Sequence, residues 1–272
     1  MVDYLVSTHG LSHRRSCYAL KLSRSVYRYQ PADKKDEDVI STLLELTERY
    51  PRYGFKKLFI KIRQRGHGWN HKRVYRVYCM LGLNIRRKGK RRISSREPHS
   101  LTVSFFPNQT WSADFMSDAL ICGRRFRTFN VIDDFNREAL GIEIDLSLPA
   151  RRVIQTLDNI GMVRGYPLKL RLDNGPEMVS LALADWAEKH GVTLEFIQPG
   201  KPTQNSYIER FNRTYREEVL DFYIFKNLNE VREITEQLIN QYNTERPHQS
   251  LKNMTPNEYS LFIKKTENYT TP

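Results

Sequence analysis

The sequence predicts an α/β fold: a mixed sheet with helices packed on it, preceded by a helical and strongly basic region. Three observations carry that expectation. The chain has 272 residues, comfortable for two units. Its charge is divided, because residues 1–100 hold 24 Lys and Arg against 8 Asp and Glu, whereas residues 101–272 hold 20 against 23. From Trp111 onward, short helical stretches give way to alternating strands and then to alternating strands and helices.

Composition excludes several classes. With 39% hydrophobic and 28% charged residues the chain reads as an ordinary soluble globular protein. No apolar run reaches the roughly 18–20 residues that a membrane span needs, and the opening Met1-Val2-Asp3-Tyr4-Leu5 lacks a charged-then-apolar secretory pattern. Cys17, Cys79 and Cys122 are odd in number and have no CxxC spacing, which argues against a disulfide framework and a cysteine zinc site. The expectation is a cytosolic chain whose basic part sits on a polyanion. Nucleic acid fits better than a membrane surface, since the basic residues are scattered over several short segments rather than along one amphipathic helix.

The first hundred residues read as short helices. Leu11 to Leu20, capped by Ser12, and Ser23 to Tyr29 would form two helices joined by a turn; they fit a helix-turn-helix and equally two helices of a small bundle. A longer helix places Val39, Leu43, Leu46 and Tyr50 at 3–4 spacing and stops before Pro51. Tyr53 to Leu58 and Asn70 to Val77 make a second helix-loop-helix pair across Gly66-His67-Gly68. His9 and His13, and His67 and His71, have the helical spacing of metal ligands, but no CxxC follows, so zinc is the lesser reading. Arg86, Arg87, Lys88, Lys90, Arg91, Arg92 and Arg96 make a basic run that suits both a tether and phosphate contact.

In the second part, residues 111–115 and Arg125 to Asp133 read as strands around Cys122-Gly123. Leu140, Ile142, Ile144 and Leu146 alternate with Gly141, Glu143 and Asp145, the period of a half-buried strand. A helix after Pro149 turns Val153, Leu157 and Ile160 inward. Leu168, Leu170 and Leu172 form a fourth strand, ending in the turn Asp173-Asn174-Gly175-Pro176. A helix with Val179, Leu183, Trp186, Ala187 and His190 on one face precedes a fifth strand at 192–197.

Carboxylates then stand where chemistry would want them. Asp114 lies on the strand face opposite Trp111, Ala113 and Phe115, and Asp173 lies at a strand's carboxyl end, where α/β sheets expose side chains to a crevice. On a later helix Ile208, Phe211, Tyr215 and Phe222 make the buried stripe. Glu209, Arg213 and Arg216 form a partly exposed one, which could equally be an i, i+4 ion pair on a solvated face. Asp133 and Asp134 read as structural, orienting a turn with Arg137, and Glu177 is favoured by its helix start.

These residues resemble a known family. Asp114, Asp173 and Glu209, with 35 residues between the last two, match the D…D(35)E pattern of retroviral integrases and related transposases. The segments Trp111-Ser112-Ala113-Asp114-Phe115, Val131 to Glu138, Asp173 to Glu177, Pro199 to Asn205, Glu209-Arg210-Phe211-Asn212 and Tyr242 to His248 are similar to the IS-three family of bacterial insertion-sequence transposases. So are Tyr53-Gly54-Phe55 and Asn70 to Tyr75. The resemblance covers nearly the whole chain.

It implies an RNase H-like catalytic core behind a helical DNA-binding region. The expected organisation is a DNA-binding region over 1–85, a basic linker over 86–100, a catalytic core over 101–224 and a C-terminal helical extension over 225–272. The implied activity is metal-dependent cleavage at element 3′ ends followed by strand transfer. Asp114, Asp173 and Glu209 would hold two Mg²⁺ or Mn²⁺ ions, hard cations suited to carboxylate oxygen. Asn174 and Gly175 would shape the turn around Asp173. DNA contacts are expected from Arg86, Arg87, Lys88, Arg91 and Arg92 in the basic run, and from Lys201, Gln204, Asn205, Arg213 and Arg216 near the acids. The expected partners are double-stranded DNA, the product of an upstream reading frame (OrfA) and further copies of the chain on DNA, in a cytoplasmic, nucleoid-associated setting without membrane. Two rival readings are a DNA-binding regulator with a dead core, against which the intact triad speaks, and a retroelement integrase, which would usually bring an HHCC zinc module.

Overall fold

Alternation in the second part of the sequence closes into one sheet. Its strands are β1 (Thr110–Ala119), β2 (Arg125–Asp133), β3 (Ala139–Asp145), β4 (Lys169–Leu172) and β5 (Thr193–Phe196), in the spatial order β3-β2-β1-β4-β5. The computed structural model describes residues 1–30, 35–85, 104–173, 175, 178, 180–197 and 205–270. The basic run at 86–96, Asn174, Glu177, Val179, Lys201 and Gln204 lie outside them.

The first three strands are antiparallel, and β4 and β5 run parallel to β1. Parallel return needs a crossover. It is supplied before β4 by α7 (Ala150–Arg164) and before β5 by α8 (Leu181–His190), the latter started by Ser180 and ended by Gly191 in the left-handed region. This is the RNase H-like mixed sheet that the resemblance implies.

Both faces are covered. Trp111, Ala113, Phe129 and Val131 meet Val153, Leu157, Leu183 and Trp186 of α7 and α8 in the main core. On the opposite face Phe126, Ile132 and Ile144 meet helices α9 (Ser206–Tyr215) and α10 (Leu228–Thr244) through Phe211, Tyr215, Val231, Leu238 and Tyr242. The sheet's second face is therefore buried by residues on both sides of the expected boundary at 224, and α10 is part of the core's packing rather than an appendage. A last helix, α11, spans Pro256–Thr270.

One local departure changes the phase of the chain. After α9, residues Arg216–Leu220 form a π turn. The wider turn rotates the side chains that follow, so Val219 and Leu220 are buried while Phe222, expected in the buried stripe, is 45% exposed.

The helical region has its own centre. Helices α1 (Val2–His9), α2 (His13–Ala19) and α3 (Arg24–Arg28) bury little beyond Val2, Ser16 and Cys17, although Ser12 caps α2 as expected and Ser23 caps α3. Helices α4 (Glu37–Arg49), α5 (Phe55–Gln64) and α6 (His71–Met80) share an apolar core of Val39, Leu43, Leu46, Leu58, Ile62, Val74, Val77 and Tyr78. His67 stacks on Trp69 at 4.1 Å and His71 packs edge-on against Phe55 at 4.9 Å, so this histidine pair serves packing. The bundle touches the core through Arg49 and Tyr50, which both bond Glu245, and through Tyr53, whose ring lies 5.4 Å from the Arg246 guanidinium carbon.

Candidate active site

Sheet register brings the first two acids together. Ser112 pairs with Arg171 across β1 and β4, and two residues further along each parallel chain stand Asp114 and Asp173. Helix α9 crosses the same face and carries Glu209 in its first turn. Asp114 is held on both oxygens: Oδ1 accepts from its neighbour's amide, Phe115 N–H, at 2.8 Å, and Oδ2 accepts from Asn212 Nδ2 at 2.8 Å. Asp173 Oδ1 accepts from the Gly175 N–H at 3.2 Å, so the turn after β4 orients that carboxylate.

Asp114 feels the charge of both other acids. Burial pushes Asp114 up to about 6, the Asp173 charge adds to the rise and Glu209 adds further, while the Phe115 and Asn212 hydrogen bonds pull it back. Glu209 is also raised, by partial loss of solvent. Like charges gathered on a half-buried face are costly unless a cation joins them, and the donors here are all hard carboxylate oxygens. That chemistry fits Mg²⁺ or Mn²⁺. Among the described residues no three His, Cys, Asp or Glu side chains come together as a ready metal cage.

The neighbouring acids do other work. Asp133 accepts from the backbone N–H groups of Asn108 and Phe135, at 2.9 and 2.8 Å, and is pushed up to about 6 by burial. Asp134 is fully buried and pairs with Arg171, itself buried, at 2.6 Å. This pair clamps the end of β2 to β4 two residues before Asp173. The turn's partner is thus Arg171. Arg137, expected in that role, acts on Asp134 through its charge alone and lays its guanidinium on the Tyr207 ring.

Of the expected DNA contacts, Arg213 is solvent-facing and pairs with Glu217 at 3.5 Å, the i, i+4 alternative, rather than with Glu209. Arg216 is engaged inward. Its Nη1 lies 2.6 Å from Asp118 Oδ2 and its Nη2 donates to the Ser117 carbonyl at 2.8 Å, because the π turn begins at this residue and β1 runs alongside. It does not share an exposed stripe with Glu209. Asn205 is buried at the start of α9. Sequence reasoning missed Asn212 and Asn130 as parts of the site. The available signals were their polarity at positions that the helix and strand periods assign to the interior and, for Asn212, its place in the segment Glu209-Arg210-Phe211-Asn212.

Known families and proteins match most of this chain. Two models described as integrase core domain match residues 106–202 and 190–256. A model described as HTH-like domain matches 32–91. That match covers the α4–α6 bundle, the part of the helical region with an apolar core of its own. A 31.7 kDa protein of insertion element IS407 from Burkholderia multivorans is 41% identical over 252 residues, covering 92% of this chain and 91% of that protein. A 39.2 kDa protein of insertion element IS476 from Xanthomonas euvesicatoria is 37% identical, covering 92% and 72%. The putative transposase InsK of IS150 from Escherichia coli is 28% identical, covering 89% and 90%.

Proposed function

The chain belongs to the IS-three family of insertion-element proteins, a branch of the DDE and integrase superfamily, and from that membership we propose that it frees the 3′ ends of an insertion element and joins them to target DNA. The observation that supports the proposal is that Asp114, on one strand, stands level with Asp173 at the end of the neighbouring strand and feels the charges of both Asp173 and the helix-borne Glu209. These three acids would hold the divalent ions, two by the resemblance. Bound there, Mg²⁺ or Mn²⁺ would stabilise charge on the entering and leaving oxygens of a phosphodiester.

The chain's own groups supply position. Gly175 N–H and Asn212 Nδ2 hold Asp173 and Asp114 in fixed rotations, and partial burial withdraws these two acids from bulk water, with Glu209 exposed beside them. In the first step water attacks the phosphorus at the element end, and the bond to the 3′ oxygen breaks to give a free 3′-hydroxyl. In the second that hydroxyl attacks a target phosphodiester and displaces a new 3′ oxygen, with no covalent bond to the protein. The α4–α6 bundle and the run of Arg86, Arg87, Lys88, Arg91 and Arg92 would seat the duplex through its phosphates, with Lys201 and Gln204 placed in sequence beside the acids.

The test is nicking of element-end duplex in Mg²⁺ or Mn²⁺. Asp114→Asn, Asp173→Asn and Glu209→Gln each keep shape and remove charge, so each is expected to abolish nicking and leave DNA binding intact. Normal nicking by any of the three would overturn the assignment of that residue.

A further inference from the structure

Directly across β1 and β2 from Asp114 stands Asn130, a fully buried amide in the middle of a sheet. Its Nδ2 donates to Asn212 Oδ1 at 2.7 Å, and Asn212 Nδ2 donates to Asp114 Oδ2 at 2.8 Å. The direction of this chain is dictated from its outer end. An ionised carboxylate only accepts, so Asn212 must turn its amide nitrogen toward Asp114, and its oxygen then faces inward. That oxygen needs a donor, and Asn130 is the donor. Either amide flipped alone would set two oxygens against each other.

Asn130 satisfies only half of its amide by this arrangement. Its own Oδ1 is buried without a hydrogen-bond partner among the described residues, and a buried, unsatisfied carbonyl is a cost that an apolar side chain of the same size would avoid. The relay also ties together two parts of the site. Asn212 follows Glu209 by three residues on α9, so the turn that carries the third acid is fastened to the strand that carries the first.

We propose that Asn130 is a positioning residue for the metal-holding acids: acting through Asn212, it fixes the rotation of the Asp114 carboxylate and the seat of the Glu209 turn. The inference rests on the metal reading given above. Partners one step behind a ligand typically alter metal affinity about 10–100-fold when removed.

The experiment is thermal melting of the full chain titrated with Mn²⁺ alone, in parallel with nicking. Wild type is expected to be stabilised with a measurable midpoint concentration, and Asp114→Asn to lose that stabilisation. Asn130→Ala and Asn212→Ala should each raise the midpoint about tenfold or more, and Asn130→Ser, which restores a donor, should recover part of the loss. Asn130→Leu keeps the size and removes the donor, so it should bind Mn²⁺ no better than Asn130→Ala. A role in packing alone would instead favour Leu, which fills the space, over Ser. A midpoint within twofold of wild type in cooperatively melting Asn130→Ala or Asn212→Ala protein would overturn the relay and leave the metal reading standing. If Asn130→Ala does not melt cooperatively, Asn212→Ala decides by the same criterion. No Mn²⁺ response in wild type, or an undiminished one in Asp114→Asn, would overturn the metal reading and the relay with it.

Discussion

Replacing Arg171 by Met should destabilise this protein more than most single substitutions. The Arg171 and Asp134 side chains are 3% and 0% exposed and lie 2.6 Å apart, so removing the guanidinium leaves a carboxylate in the interior with no ion-pair partner, only the more distant Arg137 charge. Breaking such a pair from one side costs about 3–5 kcal/mol. For a chain of this size, at about 2–4 °C per kcal/mol, the melting temperature should fall by about 6–20 °C. The second partner of Arg171, Glu195 at 3.3 Å, is 42% exposed, and its loss adds little. The double variant Arg171→Met/Asp134→Leu should return close to wild type, because the desolvation penalty goes with the charge. The deficit of the single variant should depend on pH. Asp134 is already raised above its ordinary 3.8 by burial, in spite of Arg171, and losing the arginine raises it further. A carboxyl raised in the folded state stabilises while protonated, so the deficit should shrink as pH falls toward 3.8 and grow as pH rises through the folded value. Melting curves from pH 4 to 8 for the three proteins provide the assay. A single-variant cost below about 1 kcal/mol, or a double variant as unstable as the single, would refute the claim that the cost is an unpaired buried charge.

Lys57 is lowered to about 7 by burial and the nearby Arg246 charge; the unfolded chain therefore binds an extra proton between about pH 7 and 10, and stability should rise with pH across that window. Lys57→Met should flatten the rise between pH 7 and 9, seen as a loss of slope in melting temperature against pH. A Cβ on Gly161 would lie under 3.0 Å from three ring carbons of Tyr166, so Gly161→Ala should cost about 1–3 kcal/mol and loosen the 4.0 Å stacking of Tyr166 on His190, checked by near-ultraviolet dichroism. Changing Arg86, Arg87, Lys88, Arg91 and Arg92 to Ala should lower the slope of log K for duplex DNA against log salt by up to ~4.5, at about 0.9 per phosphate contact; an unchanged slope would make the run a tether.

What the sequence made legible follows from what short-range chemistry encodes. Alternating Leu170 and Leu172, or Val153, Leu157 and Ile160 at helical spacing, declare their faces without reference to any partner, and the structure buries them accordingly. Asp114 and Asp173 were readable for a related reason: each is polar on a strand whose other side is committed to the core. The π turn at Arg216–Leu220 was not readable, because a helix period extrapolates smoothly through a sequence that gives no Gly or Pro to stop it. Extrapolation put Phe222 inside and Arg216 beside Glu209, whereas packing of Val219 and Leu220 against the sheet turns Arg216 toward Asp118. Asn130 was hidden more deeply. In Phe129-Asn130-Val131-Ile132 it reads as a blemish in a strand, and only the register that sets it opposite Asp114, with α9 laid over both, gives the amide a task. Local pattern thus places an acid on a face. Which neighbours hold that acid is decided by strand pairing and helix docking, and these are settled by apolar residues that never touch it.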